Sequence, residues 1–261
     1  MSSPKHTTLE SHIQTTDDFP FSDTDEIVFK TLNALEGPVE NQYRIRAVHY
    51  FDHCVSGSYA LDLLRRILKY YGTDGLPVDF SGWDSDNVWT PHDVDIFFRV
   101  NLPDNCFFEA VRQIKQYWGS DVKVTSTSTR VTNLEIKGAA IQLVRPFLEG
   151  SKPLPNTHLH LFDATHFSVG KVALVPRQPP CCFHKDDIKI VDIGPYVLVC
   201  RREMLEDFGK NQLHYYRDDD HPRYKACIEA VHKYTERGFT AIHQPRTLVD
   251  LFGEYRPAVK E

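Results

Sequence analysis

Apolar positions along the chain recur first at helical and then at alternating spacing, and that change of period lays out the elements. Residues 25–35 carry a helical pattern, with Ser22 or Thr24 as the cap and Gly37-Pro38 as the stop. A short apolar run, His53-Cys54-Val55, predicts a strand; Gly57 supplies a tight turn, and residues 60–68 return to helical spacing. Residues 106–118 form a third predicted helix, with Phe107, Ala110, Val111, Ile114 and Trp118 on one stripe and Gly119 as its end. Strands are expected around Val94, Ile96 and Phe97, then over 122–125, 130–136 and 140–144, and further on over 159–162, 169–175 and 197–200. Beyond Arg202 the pattern turns helical again over 203–208 and 222–237, where Tyr224, Ile228, Val231 and Tyr234 make a packing stripe before Gly238.

Helices that alternate with strands early, followed by clustered strands, predict an α+β (mixed α/β) fold in which a mixed sheet is flanked by helices. The expected organisation is a flexible tail over residues 1–24, rich in Ser, Thr, Asp and His, a main domain over 25–200, and a helical extension over 201–261 that closes over the core. Residues 72–90 have the Gly, Pro, Asp and Ser content of an irregular inserted loop that is able to cover a site.

Candidate chemistry begins with His92-Asp93-Val94-Asp95-Ile96. Alternate side chains of a strand share a face, so Asp93 and Asp95 project together from an apolar ribbon. At roughly 5–7 Å and an effective dielectric of about 20, their repulsion is on the order of 2–3 kcal/mol, which favours protonation or a bound cation. Hard oxygen donors suit magnesium, which is completed by substrate phosphates rather than a full protein cage. Upstream, Ser58 falls at or beside the start of the helix that follows Gly57, where its hydroxyl and free backbone N–H groups can receive a phosphate oxygen. Each half also has an ordinary reading, as an acid facing solvent or as a serine cap. The combination in this order is the more specific signal.

In that order, Val55 to Ser58, a helix, and Asp93-Val94-Asp95 resemble the nucleotidyltransferase-fold superfamily, the polymerase beta-like group. More narrowly, the chain is similar to Ser-Gly-Ser-x-Ala-Leu … Asp-x-Asp-Ile proteins of giant viruses and fungi, whose two later elements are echoed by Phe162-Asp163 and by Lys233-Tyr234-Thr235-Glu236-Arg237-Gly238-Phe239. The resemblance implies that Gly57 and Ser58 contact a triphosphate and that Asp93 and Asp95 hold magnesium. The implied reaction moves a nucleotidyl group from an NTP to a hydroxyl acceptor on a protein, an RNA end or a small molecule. It also implies a third carboxylate on a neighbouring strand, where residues 139–144 carry Gln142 instead. An amide accepts from metal-bound water but neither balances a second cation nor acts as a base. Gln142 is therefore expected at the nucleotide, and the missing acid must come from Glu135 or Asp163. Parity along a regular strand turns Glu135 away from Gln142 unless Gly138 introduces a bulge, and Asp163 is the better candidate, expected as the third catalytic residue beside Asp93 and Asp95. The competing expectation is a catalytically degenerate member that keeps the fold as a binding or interaction module.

Composition narrows the partners. With 36 acidic and 30 basic residues among 261, the formal charge of −6 lacks the footprint of a binder of long nucleic acid. A local groove of Arg99, Arg112, Lys115, Arg130, Lys137 and Arg145 remains compatible with phosphate binding, and Trp83 and Trp89 with base stacking. Six irregularly spaced cysteines fit free thiols in a reducing compartment. With no long apolar run and a polar start, the expectation is a soluble, intracellular protein of cytoplasm or nucleus with no membrane partner. A minor alternative is a metal-dependent hydrolase, its ligands drawn from His158, His160, Asp163 and His166, with the first two on one face of a strand. Cys181-Cys182 with His184 lacks the Cys-x-x-Cys spacing of a zinc site.

Overall fold

The computed structural model describes residues 12–13, 16–36, 53–76, 91–146, 157–165, 167–177, 183, 186–217 and 224–245. Expectations about Gly37-Pro38, Trp83, Trp89, His166, Cys181, Cys182, His184 and most of the 72–90 loop lie outside those residues.

An eight-stranded mixed sheet is the frame of a mixed α+β architecture. Its strands are β1 (His53–Ser56), β2 (Val94–Phe98), β3 (Val122–Thr127), β4 (Val131–Ile136), β5 (Ala139–Val144), β6 (Val172–Pro176), β7 (Asp187–Ile193) and β8 (Tyr196–Arg201), in the order β3-β4-β5-β2-β1-β6-β8-β7. All neighbours are antiparallel except β2 and β5. The helices are α1 (Asp23–Glu36), α2 (Ser58–Tyr71), α3 (Asp104–Trp118), α4 (Thr157–Ala164), α5 (Arg202–Gly209) and α6 (Tyr224–Glu236); β9 (Gln212–Arg217) and β10 (Thr240–Pro245) form a separate parallel pair. No helix among the described residues is long and apolar enough to cross a membrane.

Alternation along the strands decides which face is covered. Val94, Ile96 and Phe98 of β2, Leu134 and Ile136 of β4, and Ile141 and Leu143 of β5 are buried against Leu61, Leu64 and Ile67 of α2 and Phe107, Ala110 and Ile114 of α3. This face holds the main core. The opposite face carries a smaller cluster in which Phe162 of α4 packs with Cys54, Ala173, Val175, Val197 and Val199.

Helix α1 begins as a capping box. Ser22 Oγ accepts from the Asp25 N–H at 3.2 Å while the Asp25 carboxylate accepts from the Ser22 N–H at 2.7 Å. Its start lies within the span anticipated as a flexible tail, and Ile13 and Phe19 from that span are buried as well. Ile13 reaches the β7 edge, donating its N–H to the Ile190 carbonyl at 2.7 Å.

Three further expectations are corrected. Residues 157–164 form a helix, not a strand: the alternating His-Leu-His-Leu-Phe run imitates a two-residue period, but Phe162 must point down onto the sheet. Strand β7 was not anticipated, although it alternates and meets β8 through a turn at Gly194-Pro195. The C-terminal region is not wholly helical, because β9, α6 and β10 make a β-α-β crossover whose parallel strands need the helix between them. Leu213, Tyr234 and Phe239 bury this unit in the main core, so it is continuous with the rest of the fold.

Candidate functional site

The site forms where β1 ends and α2 begins. Ser56, the last residue of β1, is the register partner of Asp95 on β2, so the chain leaves the sheet directly beside that acid. Gly57 makes the departure with φ 81° and ψ −151°, a conformation open essentially to glycine alone. Its missing side chain matters, because a Cβ there would lie 3.2 Å from Asp95 Oδ2. Helix α2 then starts at Ser58, inside the helix rather than at its cap, and no side chain caps this end. The backbone N–H groups of the first turn therefore have no partner from a capping side chain, and the positive end of the helix dipole stands beside an acid.

Asp93 precedes β2 by one residue and keeps the alternation of half-buried and buried positions that runs through Phe98, so Asp93 and Asp95 share a face. Burial, then the charge of Asp93, pushes the Asp95 carboxyl up to about 6, and Lys233 acts against that rise. On the other side of Asp95, across the parallel pairing, stands Gln142, and beyond it Asn133 of β4. Gln142 thus occupies the strand position next to Asp95 that the sequence pointed to for a third acid.

Glu135 corrects the parity argument. Because Lys137 (φ 49°) and Gly138 (φ 86°) make a two-residue hairpin turn between β4 and β5, Glu135 pairs with Ala140 and shares the face of Gln142 after all. Its carboxylate is 3.0 Å from Lys123 Nζ, two strands from the acid pair. Asp163 lies in α4, the helix on the same sheet face as the acids, rather than at the end of a strand. Its neighbour Phe162 is fully buried.

A contact with the start of α2 comes from far along the chain. Arg237, just past α6, donates from Nη1 to Ser58 Oγ at 3.3 Å, and its guanidinium lies 5.5 Å from the centre of the Tyr234 ring. Tyr234 is itself hydrogen-bonded to Ser58; burial pushes its hydroxyl up to about 12, with Arg237 and Ser58 acting the other way and Asp95 adding to the rise. Burial lowers the proton affinity of Arg237, while Tyr234, Asp93 and Asp62 work to raise it. The sequence showed this Lys-Tyr-x-x-Arg-Gly-Phe segment but assigned its charges no place. The usable signal was Lys233 and Arg237 four residues apart, a spacing that puts two cations on one side of a helix end.

Three of the six basic residues expected in a groove around the sheet have partners of their own. Arg112 pairs with Glu109 at 2.6 Å along α3, Arg145 is bound to the Leu102 carbonyl at 2.9 Å and to Asp104, and Lys137 pairs with Asp121 at 3.2 Å. These three brace helix and sheet edges. The histidine alternative loses its geometry because α4 is helical and residues two apart there do not share a face. His158 is buried, its Nε2 3.7 Å from Asp187 Oδ2, with the rings of Phe162 and Phe183 against it. Among the described residues no group of three or more His, Cys, Asp or Glu is arranged to hold a metal. No protein-family model, curated protein or solved structure matches the chain.

Proposed function

We propose that the cleft between the start of α2 and the β2 acids binds a magnesium–nucleoside triphosphate, as expected of a nucleotidyltransferase-like fold. The observation that carries this reading is the close approach of Gly57 to Asp95, where a single added carbon would stand 3.2 Å from the carboxylate oxygen. A helix N-terminus and a pair of acids attract opposite charges, and a metal–phosphate supplies both in one ligand.

The donor set suits a hard cation. Asp93 and Asp95 are two carboxylates on one face, Asp95 with a raised proton affinity that a divalent ion would relieve. Gln142 offers an amide oxygen beside them. Magnesium at this place would neutralise phosphate charge during an in-line displacement, with phosphate oxygens received by Ser58 and the first N–H groups of α2.

Nucleotidyl transfer to a hydroxyl acceptor is the reaction such a complex would support. The second reading, a module that binds the metal–nucleotide without turning it over, is favoured by Gln142 at the third position and by the engagement of Glu135 with Lys123. The test is calorimetric titration of ATP, GTP, CTP and UTP with and without magnesium, followed by pyrophosphate release with candidate acceptors. Magnesium-dependent binding that disappears in the folded Asp93→Asn, Asp95→Asn double variant is the expected result. Binding that persists in that variant overturns the site, and binding without pyrophosphate release selects the second reading.

A further inference from the structure

The sheet face that carries the acids is divided in two. Over β1, β6 and β8 its side chains, from Cys54 to Val175 and Val199, are buried with Phe162 of α4. Over β2, β5 and β4 the same face is half-buried, in two rows that run in register: Asp95, Gln142 and Asn133, then Phe97, Val144 and Val131. The alternation continues past β2 to Arg99, half-buried between the buried Phe98 and Val100. At a rise of about 3.3 Å per residue, Arg99 stands about 13 Å from Asp95 along the strand, with Phe97 between them.

Arg99 differs from the arginines that brace the fold. The Arg145 guanidinium also has a buried Nε without a hydrogen bond, but the rest of its fork is held by Asp104 and by the Leu102 carbonyl at 2.9 Å. Among the described residues Arg99 makes no ion pair, and its Nε is buried without a hydrogen bond. A partly withdrawn guanidinium leaves donors to be satisfied, and its planar fork matches an oxyanion.

We propose that the half-buried part of this face holds the hydroxyl acceptor, and that the acceptor carries an oxyanion received by Arg99 at the end away from the acids. The acceptor role rests on the metal–nucleotide reading; the oxyanion site itself does not. In an in-line displacement the attacking oxygen stands opposite the leaving group. Phosphates received at the start of α2 lie on the β1 side of Asp95, so the acceptor comes from the other side, over β5. Between the acids and Arg99 the face offers a phenyl ring, two valines and two amides, which suits an apolar spacer with a single terminal charge rather than a phosphodiester backbone.

The experiment compares wild type with Arg99→Met, which removes the charge and keeps the apolar stem, and with Arg99→Lys, which keeps the charge without the fork. The probes are ω-hydroxyalkanoates and ω-hydroxyalkyl phosphates of increasing length, with unsubstituted alkanols of matching length. Binding is measured by calorimetry and on the Nε–Hε resonance of Arg99, with and without magnesium and a non-hydrolysable ATP analogue. Tightest binding is expected where the hydroxyl and the oxyanion are about 13 Å apart. Loss of a charge-assisted contact should weaken that binding about tenfold in Arg99→Met and by less in Arg99→Lys, while the alkanols bind all three proteins alike. The tighter of the two charged series identifies the oxyanion as carboxylate or phosphate. Equal binding of the charged probes by wild type and Arg99→Met, or equal losses on charged probes and alkanols, overturns the proposal. So does a fall in the urea midpoint of Arg99→Met, which would reveal a partner for the guanidinium within the chain. Failure of the parent reading is distinguishable: wild type then binds no triphosphate, and the acceptor role goes with it, while the charged probes still depend on Arg99. If triphosphate binding is intact and the Arg99 variants bind the probes as wild type does, the inference alone is lost.

Discussion

Asp25 and Asp95 both stand against α2 and both are largely withdrawn from water, yet their carboxyl groups are driven in opposite directions. Burial would raise the proton affinity of Asp25, but the Arg66 fork at 2.8 and 2.9 Å, with Ser22 and the Tyr59 hydroxyl at 2.7 Å, outweighs it and holds the carboxyl below its ordinary range. Asp95 is set beside Asp93 and the Gly57 turn, and Lys233 only partly offsets the burial and the like charge, so its carboxyl rises to about 6. The first arrangement locks α1 to α2. The second leaves the burial of Asp95 and the like charge beside it only partly offset.

Removing Asp25 is the hardest blow to this contrast. Asp25→Ala removes the fully buried partner of Arg66, leaving it only Asp62, and takes the acceptor from the buried Tyr59 hydroxyl, so it should cost about 3–5 kcal/mol by urea denaturation. A cost below about 1 kcal/mol would mean the network is no lock. Asp95→Asn should do the reverse. Because the folded protein binds the Asp95 proton more tightly than the unfolded chain, wild type loses stability as pH rises from the ordinary 3.8 through about 6. The substitution should therefore stabilise by about 1–3 kcal/mol at pH 8 and by almost nothing at pH 3.5. A variant less stable than wild type at pH 8 would show that Asp95 belongs with Asp25. The Asp25 contribution has the opposite slope: it is fully present above its unfolded pKa and is lost as pH falls through the lowered folded value.

Gly57→Ala tests the hinge between the two regions. The positive φ and the 3.2 Å approach to Asp95 predict a loss of about 1–3 kcal/mol. Triphosphate binding should weaken in the same variant, and unchanged affinity would argue against a ligand at this turn. Smallest is Ser22→Ala, which removes the α1 cap and should cost about 1 kcal/mol in thermal or chemical unfolding.

How far the site was legible in the chain depended on range. Asp93, Asp95 and Gln142 come together through adjacent strands, and alternation suffices to place them on one face, since a strand's period is two wherever it lies. Glu135 was misdirected because parity carried along one strand does not survive a two-residue turn that starts another. The helix over 157–164 was misread because eight residues of alternating type carry no decisive period, and the sheet beneath Phe162 selects the outcome.

Local pattern by itself determined the main helices, most strands of the sheet, the glycine turn and the shared face of the two acids, because each depends on spacing within a few residues. Only the tertiary structure decided that Arg237 meets Ser58 across 179 positions, that Asp25 is neutralised while Asp95 is not, and that the C-terminal segment is a β-α-β unit. Those outcomes depend on which surfaces close over one another to bury the core, and a charge acquires its surroundings only after that closure.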